Sequence, residues 1–135
     1  MVCIYCGAKT QVINSRLQKR VNVVWRRRRC QSCRVVFTSL EQNDYENALV
    51  VERDASHIIP FRRDELFLSV YEACRHRHNA VADASALTKT ILGQLPAIQT
   101  SEGRISRDKL VGLVYDALKR FDAVAAIHYN AFHSL

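Results

Sequence analysis

The sequence predicts an α+β chain in two parts: three short antiparallel strands first, then a mostly helical region opened by a β-hairpin. Three observations predict it. Two C-x2-C pairs, Cys3–Cys6 and Cys30–Cys33, bracket a 23-residue strand-like spacer. Beyond residue 60 the apolar residues recur at helical spacing. Charge divides along the chain as well: residues 1–46 carry nine Lys/Arg against three Asp/Glu, and residues 47–135 carry eleven against ten. Most of the formal net charge of +7 therefore belongs to the first third of the chain. A basic segment on a near-neutral body points to a polyanionic partner.

The cysteine spacing names the first part. Two thiolates separated by two residues bind one ion from a single tight turn, and two such turns complete a tetrahedral site. Cys3, Cys6, Cys30 and Cys33 are therefore expected to hold one zinc ion. Four thiolates leave no position open for water, so the ion is structural and not catalytic. Gly7 follows the first pair, where a knuckle turn needs a positive φ; Arg34 stands at the matching place after the second. Thr10–Arg16, Val21–Arg26 and Arg34–Thr38 read as strands. Together these elements make a zinc ribbon, and about 46 residues bury so little core that the metal is the expected source of folding energy, about 10 kcal/mol.

The run Trp25-Arg26-Arg27-Arg28-Arg29-Cys30 lies against the second pair. Alternation in a strand would divide Arg26, Arg27, Arg28 and Arg29 between two faces. Guanidinium groups on a rigid ribbon suit phosphates and guanine edges, and Asn14, Ser15 and Arg16 add polar contacts.

Glu41–Asn47 reads as a polar linker between a domain at 1–46 and one at 47–135. Ala48–Arg53 is expected as a strand, Asp54-Ala55-Ser56 as a turn, and His57–Phe61 as the returning strand. A helix from about 63 to 76 would bury Leu66, Phe67, Val70, Tyr71 and Cys74. A second carries the stripe Val81, Ala84, Leu87, Thr88, Ile91, Leu92 and Leu95, ended by Pro96. Gly103 falls in a loop. Ser106 is placed to cap a third helix with Leu110, Leu113, Val114, Ala117, Leu118 and Phe121 inward. Asp122 is placed to cap a last one, carrying Val124, Ile127, Ala131 and Phe132. Cys74, on an apolar stripe, reads as a core thiol.

No apolar run approaches the roughly 18 residues that span a membrane, and the N-terminus has no secretory pattern. The expected setting is the reducing cytoplasm, where cysteines are ligands or free thiols and not disulfides. The histidines show no ligand spacing. No Walker motif, dinucleotide fingerprint or nucleophile elbow appears, so the expectation is that the protein is not an enzyme.

Cys3-x2-Cys6-Gly7, Val12-Ile13-Asn14-Ser15-Arg16, Arg26–Arg29-Cys30-x2-Cys33 and Phe37-Thr38, in this order, resemble the NrdR family of bacterial repressors. The resemblance continues through Val50-Val51-x-Arg53-Asp54, Pro60-Phe61 and Leu66 to Ala126-Ile127-His128-Tyr129. It implies a DNA-binding zinc ribbon joined to an ATP-cone, a hairpin-and-helix module that senses ATP and dATP as regulatory ligands. It implies a homo-oligomer that represses ribonucleotide reductase genes by binding double-stranded operator DNA at the nucleoid. By the same resemblance Ser15, Arg16 and Arg26–Arg29 contact DNA. Val50, Val51, Glu52, Arg53, Pro60, Phe61, Glu65 and Arg77 belong to the nucleotide site.

That site departs from the family pattern. Glu52 and Glu65 stand where phosphate-facing lysines are usual, Ala55 where glycine is, and Ile59 where glutamate is. A carboxylate repels a triphosphate, with Arg53, Arg63 and Arg77 as candidate compensating cations. Three other readings stay open on the sequence: a cone that has lost nucleotide binding and serves oligomerisation, an RNA-binding zinc ribbon, and a thiol redox protein.

Overall fold

The computed structural model describes residues 1–100 and 102–133. The chain divides into two compact units, Met1–Asn43 and Asp44–Leu135.

The first unit is one antiparallel sheet, β1 (Thr10–Gln18), β2 (Val23–Cys30) and β3 (Val36–Gln42), in the order β1-β2-β3. The arginine run lies wholly within β2, the central strand. The β1–β2 register pairs Asn14 with Arg27 and Arg16 with Trp25, and shifts between Val12 and Asn14. This irregularity at Ile13 sets which β1 side chains stand beside the arginines. Between β1 and β2 the chain turns through Asn22 at φ +51°, a conformation asparagine tolerates. Its buried cluster is small: Cys3, Cys30 and Phe37, with Ala8 packed against it.

The second unit begins with a one-turn helix, α1 (Tyr45–Ala48), whose Asp44 cap accepts a hydrogen bond from the Asn47 amide at 3.3 Å. The segment expected as a linker thus holds the end of β3 and this turn of helix. Strands β4 (Val50–Asp54) and β5 (His57–Pro60) form the expected hairpin. The Asp54 carboxylate closes its turn by accepting from the Ser56 and His57 amides at 2.9 and 3.0 Å. A third strand, β6 (Arg104–Ser106), runs parallel to β4 and completes the order β5-β4-β6. By sequence these residues are expected in a loop. Gly103 admits the strand: it lies at φ +73°, and a Cβ there would come 2.6 Å from the Ala48 carbonyl oxygen.

Helices α2 (Arg63–Cys74), α3 (Ala80–Gln94), α4 (Arg107–Phe121) and α5 (Ala123–Phe132) follow. A 3-10 turn over Leu95–Ala97 ends α3 at the expected proline. One core runs through the unit, from Leu49, Val51, Phe61 and Ile105 of the sheet end to Val70, Ile91, Val114 and Leu118 of the helices. Cys74 is fully buried in it, and burial pushes its thiol up to about 11.

Three expected stripes fall differently: Phe121, expected inward at the end of α4, is 40% exposed. Val81 is exposed. On α5 the residues Val124, Ile127, Ala131 and Phe132 all face outward, while Ala125, Ala126 and Tyr129 are buried. The α5 sequence is apolar nearly all round, so periodicity does not select a face; the small Ala125 and Ala126 let the helix approach its neighbours closely. Ser106 occupies the N-cap position of α4 but makes no side-chain cap hydrogen bond. Among the described residues no helix is long and apolar enough to cross a membrane.

Candidate metal centre and nucleic-acid interface

The metal centre follows from two matching turns. In the first, the Tyr5 amide donates to Cys3 Sγ at 3.4 Å; in the second, the Ser32 amide donates to Cys30 Sγ at 3.4 Å. Each turn ends on a residue in the left-handed region, Gly7 at φ +75° and Arg34 at φ +64°. The second knuckle imposes this backbone on an arginine, a strain of about 1 kcal/mol or more that the cluster must offset. The four Sγ atoms lie within 4.8 Å of one another. Cys3 and Cys33 are 3.7 Å apart, and Cys6 and Cys30 are 3.4 Å apart. A tetrahedral ion with sulfur bonds of about 2.3 Å sets its ligands about 3.8 Å apart, so the donor set fits such an ion. The spacing is too long for disulfides, and all five cysteines are free.

Cys30 and Cys33 are shifted in opposite directions. Burial opposes the Cys30 thiolate, yet the Cys33 and Ser32 amides and the Cys6 thiol bring it down to about 6. The Val35 amide favours the Cys33 thiolate, but burial and the three other sulfurs push it up to about 12. A bound cation reverses this mutual repulsion, and its binding releases protons.

The centre holds β2 at its Cys30 end, and β2 displays the arginines. Residues directly opposite one another in the ladder share a face. On one face Arg26 Nε donates to Glu41 Oε2 at 2.7 Å, and its Nη1 lies 3.3 Å from Ser15 Oγ. On that face Arg28 Nε donates to Ser39 Oγ at 2.8 Å, and its Nη1 reaches Thr10 Oγ1 at 3.4 Å. The opposite face carries Trp25, Arg27 and Arg29 from β2 and Arg16 from β1, all exposed. Among the described residues Arg16, Arg27 and Arg29 have no ion-pair partner in the chain. The expected DNA residues therefore divide into a free set and a set bonded within the sheet.

In the second unit a cavity of about 290 Å³ opens among the sheet, α2, α4 and α5. Of the residues expected at a nucleotide site, Val51, Arg53, Pro60, Phe61 and Glu65 line it. Val50, Glu52 and Arg77 are not in its lining. Glu52 lies 3.9 Å from Arg104. Arg77 is held between Asp83 and Asp122, both at 2.7 Å, with its guanidinium 4.4 Å from the centre of the Phe121 ring. Arg63 Nη1 is 3.2 Å from Asp64. Of the candidate compensating cations Arg53, Arg63 and Arg77, Arg53 lines the cavity and the other two do not.

The cavity's other charged and polar lining escaped the sequence reading: Arg62, Arg107, Ser69, Tyr129 and His133. Arg107 opens α4 directly after β6, and the only signal for it was that unread strand. Arg62 pairs loosely with Glu65 at 3.8 Å. His133 lies 3.2 Å from Ser69 Oγ and stacks on Tyr129 at 4.3 Å. Burial, then Arg107, pull the His133 pKa down, and burial pushes the Tyr129 phenol up to about 12. Three arginines against one glutamate make the cavity electropositive.

Residues 1–41 match a family model described as "Transcriptional repressor NrdR-like, N-terminal domain". Over 98% of this chain, the transcriptional repressor NrdR of Syntrophotalea carbinolica is 35% identical, with 83% of that protein covered. The NrdR repressor of Sphingopyxis alaskensis is 32% identical, with 84% covered, and that of Finegoldia magna is 29% identical, with 87% covered. With the four-cysteine ribbon, the basic sheet and similarity across almost its entire length, the chain belongs to the NrdR family of transcriptional repressors.

Proposed function

We propose that the protein represses ribonucleotide reductase genes in response to adenine nucleotides. In this reading Cys3, Cys6, Cys30 and Cys33 hold one structural Zn2+, and the ribbon binds double-stranded operator DNA. The observation that carries the reading is the sheet face with Arg16, Arg27 and Arg29, three arginines without an ion-pair partner among the described residues, on the strands next to the metal centre. Arginine forks on a rigid face suit both phosphate and guanine. Arg26, Arg28 and Ser15 act from the other face, orienting the sheet or reaching flanking phosphates. In this reading the functional units follow the compact ones, the ribbon in Met1–Asn43 and the nucleotide-sensing and oligomerisation unit in Asp44–Leu135, so that α1, which a boundary between 46 and 47 would cut, stays whole.

The electropositive cavity supports ATP or dATP as its ligand. Arg53, Arg62 and Arg107 supply the charge for phosphates, and Pro60 and Phe61 an apolar wall. Self-association is supported by the outward face of α5, where Ile127 and Phe132 are 67% and 82% exposed, with Leu68 of α2 exposed as well. The place of action in this reading is the bacterial cytoplasm, at the nucleoid.

A second reading keeps the DNA ribbon and drops the nucleotide, leaving the second unit for oligomerisation. Glu65, inside the cavity lining, favours it. One experiment separates the readings: titration of the zinc-loaded protein with duplex bearing tandem repeats from upstream of ribonucleotide reductase genes, with no nucleotide, ATP or dATP, at fixed salt. Specific binding that shifts with nucleotide supports the full reading. Specific binding indifferent to nucleotide supports the second. No preference over random duplex overturns both and favours an RNA target.

A further inference from the structure

Trp25 is out of place for a core residue. It is the sole tryptophan of the chain. It stands on the central strand of the ribbon with 48% of its surface exposed, and it takes no part in the buried cluster of Cys3, Cys30 and Phe37. Its neighbours across the ladder are Arg16 on β1 and Leu40 on β3, the latter also exposed. One step along, Arg27 stands between Asn14 and Thr38. Asn14, Ser15, Arg16, Arg27 and Thr38 border a cavity of about 360 Å³ with Trp25 as its aromatic wall.

The chemistry of this cavity is mixed in a specific way. An indole offers a flat apolar face for stacking. The Asn14 amide carries both donors and acceptors, and the Thr38 hydroxyl can do either. Arg16 and Arg27 supply cations without carboxylate partners among the described residues. A phosphate alone needs no indole, and an apolar peptide gains nothing from two arginines. A nucleotide whose base has left its stack uses all of them: the base on the aromatic face, its edge on the amide and hydroxyl, its phosphates on the guanidiniums. A base inside a closed duplex shows only its edge and cannot stack on a side chain.

We propose that the Trp25 cavity captures one unstacked base of DNA, so that the ribbon binds unpaired or locally opened DNA more tightly than a fully paired duplex. Asn14 and Thr38 read the base edge, and Arg16 and Arg27 hold the flanking phosphates. This rests on the reading of the ribbon as the DNA-binding unit.

The test uses the full-length zinc-loaded protein and three DNAs of equal length and fixed sequence: a closed duplex, the same duplex with one unpaired central base, and the single strand. Affinity is measured by anisotropy at fixed salt, and Trp25 emission is followed in the same titrations. The expected result is quenching of Trp25 by the two DNAs with an unpaired base, with affinity about tenfold above that for the closed duplex. Trp25→Ala removes that margin and leaves closed-duplex binding unchanged; Trp25→Phe, which still stacks, keeps most of it. Because Trp25 is exposed, both variants are expected to retain zinc, and the wild-type emission reads the stacking without any variant. Equal quenching by all three DNAs, no quenching, or an equal loss on all three for Trp25→Ala overturns the inference. Tighter binding of the RNA strand of the same sequence overturns its assignment to DNA. Specific duplex binding with no unpaired-base margin sinks this inference alone, whereas no binding to any DNA sinks the reading of the ribbon with it.

Discussion

Arg26 and Glu41 are diagonal neighbours across β2 and β3, with Nη2 2.6 Å and Nε 2.7 Å from the same carboxylate oxygen. The next residue, Arg27, projects from the opposite face and has no carboxylate beside it among the described residues. Adjacent arginines of one run are therefore unequal. Arg27→Ala is expected to weaken duplex binding about tenfold or more and to reduce the salt slope by about 1. Arg26→Ala is expected to cost no more than about threefold, because its charge is already partly neutralised. Glu41→Gln frees Arg26 and is expected to strengthen binding about twofold at low salt, an effect that fades as salt rises. Anisotropy titrations at several salt concentrations measure all three; equal losses for Arg26→Ala and Arg27→Ala would exclude the division into faces.

The ribbon's buried cluster consists of two cysteines and one phenylalanine, so its folding depends on the ion. Removing zinc with a chelator is expected to unfold Met1–Asn43 while Asp44–Leu135 keeps its helical circular dichroism. The lost stabilisation is about 10 kcal/mol. Cys6→Ser is expected to abolish stoichiometric zinc and DNA binding together, and Cys74→Ser to leave zinc content unchanged. Metal content by mass spectrometry, read beside far-ultraviolet dichroism, checks each.

Within the cavity of the second unit Glu65 and Arg107 bring opposite charges to one lining. If phosphates enter, the two substitutions must act with opposite sign. Glu65→Gln is expected to raise ATP affinity about tenfold, and Arg107→Ala to lower it by about as much. Calorimetric titration gives both values. No response to either change would remove this cavity from consideration as a phosphate site.

Asp122 joins three elements. Its Oδ1 accepts from the Val124 and Ala125 amides at the start of α5, and its Oδ2 accepts from Arg77 at 2.7 Å and lies 3.1 Å from His76 Nε2. The Arg77 hydrogen bond first, then His76, hold its carboxyl well below the usual carboxylate range, against the effect of burial. In the unfolded chain the group titrates at about 3.9. A carboxylate depressed on folding contributes stability that is fully present above that value and is lost as pH falls toward the folded one. The Tm of the second unit is therefore expected to hold down to about pH 4 and to drop below it. Asp122→Asn is expected to lower Tm at neutral pH by several degrees and to flatten this acid arm. Thermal melts followed by dichroism across the acid range supply the measurement.

Local features were legible in the sequence. The C-x2-C pairs placed four sulfurs together because their spacing permits little else. Strand alternation foretold that the arginine run would divide between faces. Asp122 was readable as a cap, and its carboxylate does bind the first amides of α5. Strand β6 was not readable: three residues show no period, and Arg104–Ser106 is a strand only because β4 lies beside it. The α5 face was misread for a related reason, since a helix apolar on nearly every side takes its orientation from its neighbours.

The sequence by itself determined the metal ligands, the basic ribbon and the four long helices in their order, because each is marked by a motif or a period within a short stretch of chain. Tertiary structure alone decided which arginines are free, since Glu41, Ser39 and Thr10 reach Arg26 and Arg28 only across the ladder. It also decided that Arg77 binds two aspartates while Arg62 and Arg107 line the cavity. A charged side chain's role depends on what lies within a few ångströms of it, and the fold brings in partners such as Glu41 for Arg26 and Asp122 for Arg77 from other elements of the chain.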